Sequence, residues 1–304
     1  MRQSLQSSNH SDVPFHMTTD MRAIMSLGIL ILFTKGVRSV SMLDRKTIML
    51  FVIRGMCLVA AMYLYFLALS TLPISTVVSI FFLSPLLITA LSTVFLNEKI
   101  GAHRVTAVIL ALIGVALIMR PGTSFFKFEM LLALGSAVSY AIFQVVTRRL
   151  KGVGDLPGLI TIQHLCYLVS ALPLVAYNLL GSHELSGNQA LDFLLRKAAF
   201  PTFVELTFFA ICACAVLFLS FASSYAYRNA EASLVAPFEY VAIPIRVLWG
   251  IFIWNDWPDA ISWLGMFLIL CGGIYAVYRE RKLNLKVASD IPMPASTGMN
   301  VSKE

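Results

Sequence analysis

The feature that most constrains this chain is a succession of apolar runs joined by short connections. They lie at about 14–34, 47–70, 74–96, 104–119, 129–147, 157–180, 203–227, 232–254 and 260–278. Crossing the hydrocarbon core of a bilayer takes about 20 helical residues, so each run has spanning length, 104–119 being the shortest. Inside lipid the backbone must satisfy its own hydrogen bonds, and a continuous apolar run does so as an α-helix. Composition agrees: 58% of the 304 residues are hydrophobic and only 13% are charged, too little polar surface for a soluble domain. The expected fold class is an all-α polytopic membrane protein of nine transmembrane helices.

The net charge of +7 does not imply nucleic acid, because the basic residues sit in short clusters between the apolar runs. They read as topology determinants. Lys35, Arg38, Arg45, Lys46, Lys99, Arg104, Arg148, Arg149, Lys151, Arg228, Arg279, Arg281, Lys282 and Lys286 fall on one side. Arg2, Arg120, Lys127, Arg196 and Lys197 fall on the other. The excess of Lys and Arg predicts that the first side, with the C-terminus, is cytoplasmic, and nine spans then place the N-terminus outside. Cys57, Cys166, Cys212, Cys214 and Cys271 lie in apolar runs without CxxC or ligand spacing, and read as small buried apolar residues. Residues 1–13 form a polar tail with no cleavable signal pattern, and the polar tail at 283–304 is expected to be disordered. Between the sixth and seventh runs, Leu191, Leu194, Leu195 and Ala198 share one face, which predicts a short amphipathic helix on the membrane surface over 189–199.

The stretch Glu231–Asp259, EASLVAPFEYVAIPIRVLWGIFIWNDWPD, breaks the apolar rule. It carries Glu239 and Arg246, seven residues apart and therefore on one helix face. A charge near the bilayer centre costs about 3 kcal/mol even on lenient insertion scales, so such residues pair, face a protein-lined cavity, or both. Pro237 and Pro244 each remove a backbone donor that lipid cannot replace. This segment is expected to line a site.

An internal repeat is readable by arithmetic. Adding 158 carries Ala68, Ser75, Val77, Asn97, Leu110 and Gly114 onto Ala226, Ser233, Val235, Asn255, Leu268 and Gly272, and carries Glu98 onto Asp256. Each copy ends a span with an Asn-acid pair, and five spans separate the copies. An odd number of spans gives opposite orientations, a plan that recurs among secondary transporters. The run 129–147 opens the second copy, and its counterpart would precede Met1. The expected organisation is a first half over 14–122 lacking its first helix, and a second half over 129–282, nominally ten helices in two inverted repeats.

The first half contains RGMCLVAAMYLYFLALSTLPISTVVSIFFLSPLLITALSTVFLNEKIGAHRVTAVILALIGVALIMRPG, and the second YAYRNAEASLVAPFEYVAIPIRVLWGIFIWNDWPDAISWLG. With their Arg-Gly, the Ala-Leu before Leu-Pro, the mid-helix Ser-Pro, the helix-end Glu and the closing Gly-rich helix, these resemble the drug/metabolite transporter superfamily in its ten-helix EamA-type branch. Pro14-Phe15 with Arg22 looks like the opening of that family's second helix, and the resemblance covers about residues 14–282. The segment LPISTVVSIFFLSPLLITALSTVFLNEKIGAHR is similar to bacterial vitamin-transporting members, riboflavin carriers among them.

The candidate residues divide by chemistry. Glu239 and Arg246 are either a substrate- or proton-handling pair or a structural intramembrane ion pair. Arg54 lies about two turns inside its span, where it meets an anionic group or snorkels to the cytoplasmic face. Tyr65, Gln144, Tyr240 and Trp249, with Tyr63, Tyr140, Tyr225 and Tyr227, have the chemistry to stack on or hydrogen-bond an amphipathic substrate. His164 reads more readily as a core histidine than as a proton relay, and Asp20 and Arg22 as helix-end anchors. The resemblance implies structural or gating roles for Glu98 and Asp256, and Pro85 and Pro244 are expected to bend the two central helices.

The expected function is secondary transport, by alternating access, of a small polar or amphipathic metabolite, with proton coupling or exchange, in a bacterial inner membrane. The partners are that small molecule and the lipid bilayer, with a homodimer compatible and no nucleic acid. No cofactor and no metal are expected, and no nucleotide-binding motif makes ATP the direct driver. An intramembrane enzyme would need paired catalytic carboxylates, HExxH or a nucleophile elbow, none of which occurs. A non-transporting scaffold is the other alternative.

Overall fold

The computed structural model describes residues 15–34, 36–98, 102–120, 125–180, 202–241, 248, 251–253 and 257–289. Among them the structure is helical and contains no strand. The helices are α1 (Phe15–Phe33), α2 (Gly36–Ser41), α3 (Arg45–Thr71), α4 (Ile74–Phe81), α5 (Ser84–Leu96), α6 (Ala102–Met119), α7 (Met130–Arg149), α8 (Leu156–Leu180), α9 (Phe203–Asn229), α10 (Ala232–Val235) and α11 (Ala260–Ser289). A 3-10 segment, Ala236–Val241, continues α10. Among the described residues, five stretches are long and apolar enough to cross a membrane: Arg45–Thr71, Ile74–Leu96, Met130–Arg149, Leu156–Tyr177 and Phe203–Asn229. The outward faces carry an apolar coat, including Phe203, Phe208, Ile211, Phe218 and Leu219 on α9, as a lipid-facing surface requires. The chain is an all-α polytopic membrane protein.

The third apolar run is one span in sequence but two helices in space. Pro85 has no N–H to give to the Phe81 carbonyl, so α4 ends at Phe81 and α5 restarts at Ser84. At the far end of α5, Asn97 adopts the left-handed conformation (φ 54°). Asn tolerates that region better than a bulkier residue, so it stops the helix and turns the chain at Glu98. The eighth run is interrupted too, changing from α10 to 3-10 winding at Ala236. Helix α9 opens on a capping box: Glu205 N–H donates to Thr202 Oγ1, and Thr202 N–H to the Glu205 carboxylate.

Among the described residues four apolar clusters hold the bundle, two of them larger than the others. Of these two, one joins α4, α5, α6 and α11 through Val77, Ile80, Leu83, Leu86, Val115, Ile118, Met266 and Ile269. The other joins α1, α3 and α8 through Ala23, Phe51, Val59, Leu159, Ile162 and Cys166. Helices α6 and α11 are in backbone contact: a Cβ on Gly114 would stand 2.6 Å from the Gly265 carbonyl, and one on Gly265 equally near that of Gly114. Only glycine fits this crossing. Arg120 at the end of α6 pairs with Asp259 at the start of α11, so the two helices run antiparallel.

Two expectations change. Helix α11 continues to Ser289, so residues 283–289 are helical where a disordered tail was expected from 283. Helix continues there because nothing breaks it: neither Pro nor Gly occurs between Gly273 and Ser289. Cys212 and Cys214 are exposed, not buried, because α9 turns most of its surface outward; Cys166 is buried. The surface helix expected at 189–199 lies outside the described residues.

Candidate functional site

Between α3, α4, α7 and α8 lies a cavity of about 500 Å³, within the range of small-molecule sites. Its walls are Leu58, Ala61, Met62, Tyr65 and Phe66 of α3, Ile74, Val78 and Phe81 of α4, Ser136 and Tyr140 of α7, Tyr167 of α8, and Ile253. The lining is rich in rings. Tyr65 meets Phe66 edge-on with centroids 5.9 Å apart and Phe81 at 5.3 Å; Phe81 stands 5.4 Å from Tyr140. Such a wall offers apolar area and polarised ring edges to a flat ligand.

Glu239 sits behind Tyr140, on the 3-10 segment. Its Oε1 accepts hydrogen bonds from Tyr227 Oη (2.8 Å), Tyr140 Oη (3.0 Å) and Gln144 Nε2 (3.3 Å). Gln144 Nε2 also donates to Tyr140 Oη (2.8 Å) and Ser223 Oγ (3.1 Å), while its Oε1 finds no donor among the described residues. Several donors on one carboxylate oxygen hold its charge in an otherwise apolar setting.

Arg54 lies one turn before Leu58 on α3 and has no exposed surface. Its Nε donates to Thr147 Oγ1 (2.7 Å), Nη1 to Gln163 Oε1 (2.9 Å) and Nη2 to Ser224 Oγ (2.6 Å); its guanidinium lies 4.2 Å from the Phe143 ring centroid. Among the described residues no carboxylate pairs with it. Gln163 Nε2 in turn donates to Ser220 Oγ.

Helix periodicity explains how two clusters come from the same elements. On α7, Tyr140 and Gln144 make one i, i+4 stripe toward Glu239, and Phe143 and Thr147 the neighbouring stripe toward Arg54. Helix α9 repeats the scheme: Ser223 and Tyr227 face the Glu239 cluster, and Ser220 and Ser224 the Arg54 cluster.

The basic end of the bundle is cross-tied. Glu98 accepts the N–H groups of Ala232 (3.2 Å) and Ser233 (3.3 Å) and lies 3.5 Å from Arg148 Nε. Arg148 Nη1 donates to the Arg228 carbonyl, and Arg228 Nη2 to the carbonyls of Val153 (3.0 Å) and Gly154 (2.7 Å). A carboxylate on the first amides of a helix is stabilised by the unpaired N–H groups there. At the opposite end stands the Arg120–Asp259 pair. Burial raises the Asp259 carboxyl, but hydrogen bonds from Ser262 and Arg120 outweigh it and hold the group below its ordinary value.

The structure therefore brings Glu239 and Gln144 together and places Tyr65 in the cavity wall, with Pro85 at the helix break. Arg54 is sealed among neutral acceptors away from the cavity. Glu98 forms the end tie. Pro244, Arg246, Trp249 and Asp256 lie outside the described residues, as does the side chain of Tyr240. Tyr225 is exposed, and Tyr63 donates to the Ser170 carbonyl. His164 is buried with Nδ1 2.9 Å from the Ile160 carbonyl. Sequence reasoning missed Thr147, Ser220, Ser223, Ser224, Arg148 and Arg228. A signal existed: Ser220, Ser223, Ser224 and Tyr227 recur at i, i+3, i+4, i+7 in an otherwise apolar run. Arg22, expected as an anchor, instead reaches the wall, where its Nη2 lies 3.5 Å from Met62 Sδ and its guanidinium 5.3 Å from the Tyr167 ring centroid.

The profile of the EamA-like transporter family matches residues 7–120. An S-adenosylmethionine uptake transporter of Rickettsia bellii (strain RML369-C) is 24% identical over 231 residues, covering 76% of this chain and 73% of that protein. A riboflavin transporter of Rhizobium johnstonii (strain DSM 114642 / LMG 32736 / 3841) is 26% identical over 220 residues, covering 72% and 67%. These similarities support an EamA-type transporter of the drug/metabolite transporter superfamily. A solved crystal structure with 18% identity superposes with a TM-score of 0.62 over 92% of this chain and 93% of its own, a likeness of fold. With several helices long and apolar enough to cross a membrane, it is an integral, multi-pass membrane protein.

Proposed function

We propose that this chain is a secondary transporter, and not an enzyme, that carries a small amphipathic metabolite by alternating access between two inverted halves. The observation that carries the reading is Glu239. An ionisable group on an interrupted membrane helix, tied to Tyr140 in the wall of an aromatic cavity, is a substrate or coupling site by the economics of charge in lipid. The antiparallel course of α6 and α11, which close the two halves, supports the inverted-repeat division into 14–122 and 129–282. Glu98 belongs to the gate: with its bonds to Ala232 and Ser233 made, the basic end is shut while the cavity lies further along α3. By the distribution of Lys and Arg that end is cytoplasmic, in an inner membrane, so this arrangement faces outward.

The named relatives set the first substrates to try. Purified chain in proteoliposomes is given labelled S-adenosylmethionine and riboflavin, with and without a pH gradient. Saturable uptake of either supports the reading, and acceleration by the gradient identifies proton coupling over exchange. No flux above empty vesicles for these compounds, nor for a wider metabolite panel, contradicts it.

A further inference from the structure

A smaller cavity, of about 150 Å³, lies at the basic end of the bundle, between the loop after α7 and the last turn of α9. It is lined by Lys151, Gly152, Leu156, Tyr225, Arg228 and Asn229. Metabolite sites begin at roughly 300 Å³, so this one has room for a phosphate-sized group and not for a transported solute. The loop builds it. Gly152 (φ 76°) and Gly154 (φ 58°) take the left-handed conformation, which glycine adopts without strain. Bent in this way, the loop turns the carbonyls of Val153 and Gly154 onto Arg228 Nη2 and fixes the guanidinium in the wall. Arg228 is only 8% exposed. Among the described residues its guanidinium bonds through Nη2 alone, and Lys151 makes neither a hydrogen bond nor an ion pair. Asp155, the acid nearest in charge to Arg228, accepts the Gly158 N–H and is not part of the lining. Two cations facing one small space repel each other, and one of them is held nearly out of water. An anion between them removes both costs.

The surroundings select the source of the anion. Phe218, Ala222 and Tyr225 stand at i, i+4 and i+7 on α9 and are all exposed, so an apolar strip of outward surface runs down to the rim of the cavity. A tyrosine where such a strip ends suits the interface, its ring in the apolar layer and its hydroxyl among headgroups. A phospholipid carries both parts in that order, an acyl chain for Phe218 and Ala222 and a phosphodiester for Lys151 and Arg228. The net positive lining repels the ammonium of a zwitterionic headgroup, and basic pockets beside membrane helices suit anionic ones. We propose that this cavity binds an anionic phospholipid, with its phosphodiester between Lys151 and Arg228 and an acyl chain along the strip. The site is separate from the cavity at Tyr140 and holds whether or not the chain moves a solute.

The test is native mass spectrometry of the full chain in detergent, titrated with phosphatidylglycerol or with phosphatidylcholine of the same acyl chains, and read as the affinity for the first lipid bound. Wild type is expected to favour phosphatidylglycerol by about tenfold or more, from its two basic contacts. Lys151→Gln alters an exposed side chain that bonds to no described residue. It should weaken phosphatidylglycerol by about fivefold and leave phosphatidylcholine binding and thermal unfolding unchanged. Arg149→Gln removes an equal charge from an exposed neighbour outside the lining, and should bind as wild type does. Equal affinity for the two lipids in wild type, or wild-type affinity in Lys151→Gln, overturns the proposal. An equal loss in Arg149→Gln does so too, because it reduces the effect to general surface charge. Inorganic phosphate is added as a competitor: displacement of the lipid by phosphate at the lipid's own concentration would make this a site for a free anion and overturn the lipid assignment.

Discussion

At the scale of single residues, the account turns on hydrogen bonds to groups that lipid cannot solvate. Tyr227 Oη donates to Glu239 at 2.8 Å, and hydrogen bonds to charged groups contribute about 1.5–3 kcal/mol. Tyr227→Phe is therefore expected to keep the fold and lower substrate affinity or flux by about tenfold or more, read by binding and by initial rates. Arg54 gives the opposite pattern. Arg54→Ala strips donors from Thr147, Gln163 and Ser224 and leaves a hole, so a loss of roughly 2–4 kcal/mol is expected in thermal or denaturant unfolding. Unfolding unchanged from wild type would mean the network is slack. Glu239 and Arg54 were legible because a charge in an apolar run announces itself. Their serine and threonine partners were not, since Ser and Thr scattered through a span look unremarkable until folding sets Ser223 beside Gln144 and Ser224 beside Arg54.

At the scale of elements, broken helices do the positioning. Pro85 predicted a bend in the third run, and the break between α4 and α5 is where Phe81 enters the cavity wall. The Asn-acid pair at 97–98 was legible as a repeated signal but not as a mechanism; the left-handed Asn97 that aims Glu98 at the start of α10 is a tertiary fact. Glu98→Ala frees the Ala232 and Ser233 amides and the Arg148 guanidinium. Ser233 is buried, so a cysteine placed there (S233C) in a cysteine-free background is expected to react several-fold faster with a maleimide when Glu98 is absent. An unchanged rate would remove Glu98 from the gate. The Arg120–Asp259 pair makes a smaller claim. The folded state lowers the Asp259 pKa, so the pair's stabilisation is complete above the unfolded value of about 3.9 and disappears as pH falls through the folded one. Asp259 is half-exposed, so the effect is at most about 0.5 kcal/mol. Asp259→Asn should lower thermal stability slightly at pH 7, and the gap should vanish in acid.

At the scale of the whole molecule, α6 and α11 pack in backbone contact and a cavity lies between α3, α4, α7 and α8. The helical, membrane-spanning character of the apolar runs was legible because bilayer thickness fixes helix length. The cavity was not, because an apolar helix does not declare which face meets lipid and which meets its neighbours; Arg22, read as an anchor, touches the wall residues Met62 and Tyr167 for that reason. The central claim is that the Glu239 carboxylate is the working group of a transport site. The most direct measurement is initial flux in proteoliposomes for wild type and Glu239→Gln, an isostere that keeps the shape and removes the charge. The account predicts that wild type gives saturable flux and that the variant, equally folded and inserted, loses at least nine-tenths of it together with any response to a pH gradient. Flux that survives in Glu239→Gln at the wild-type rate would contradict it and leave Glu239 a structural partner of Tyr140, Gln144 and Tyr227.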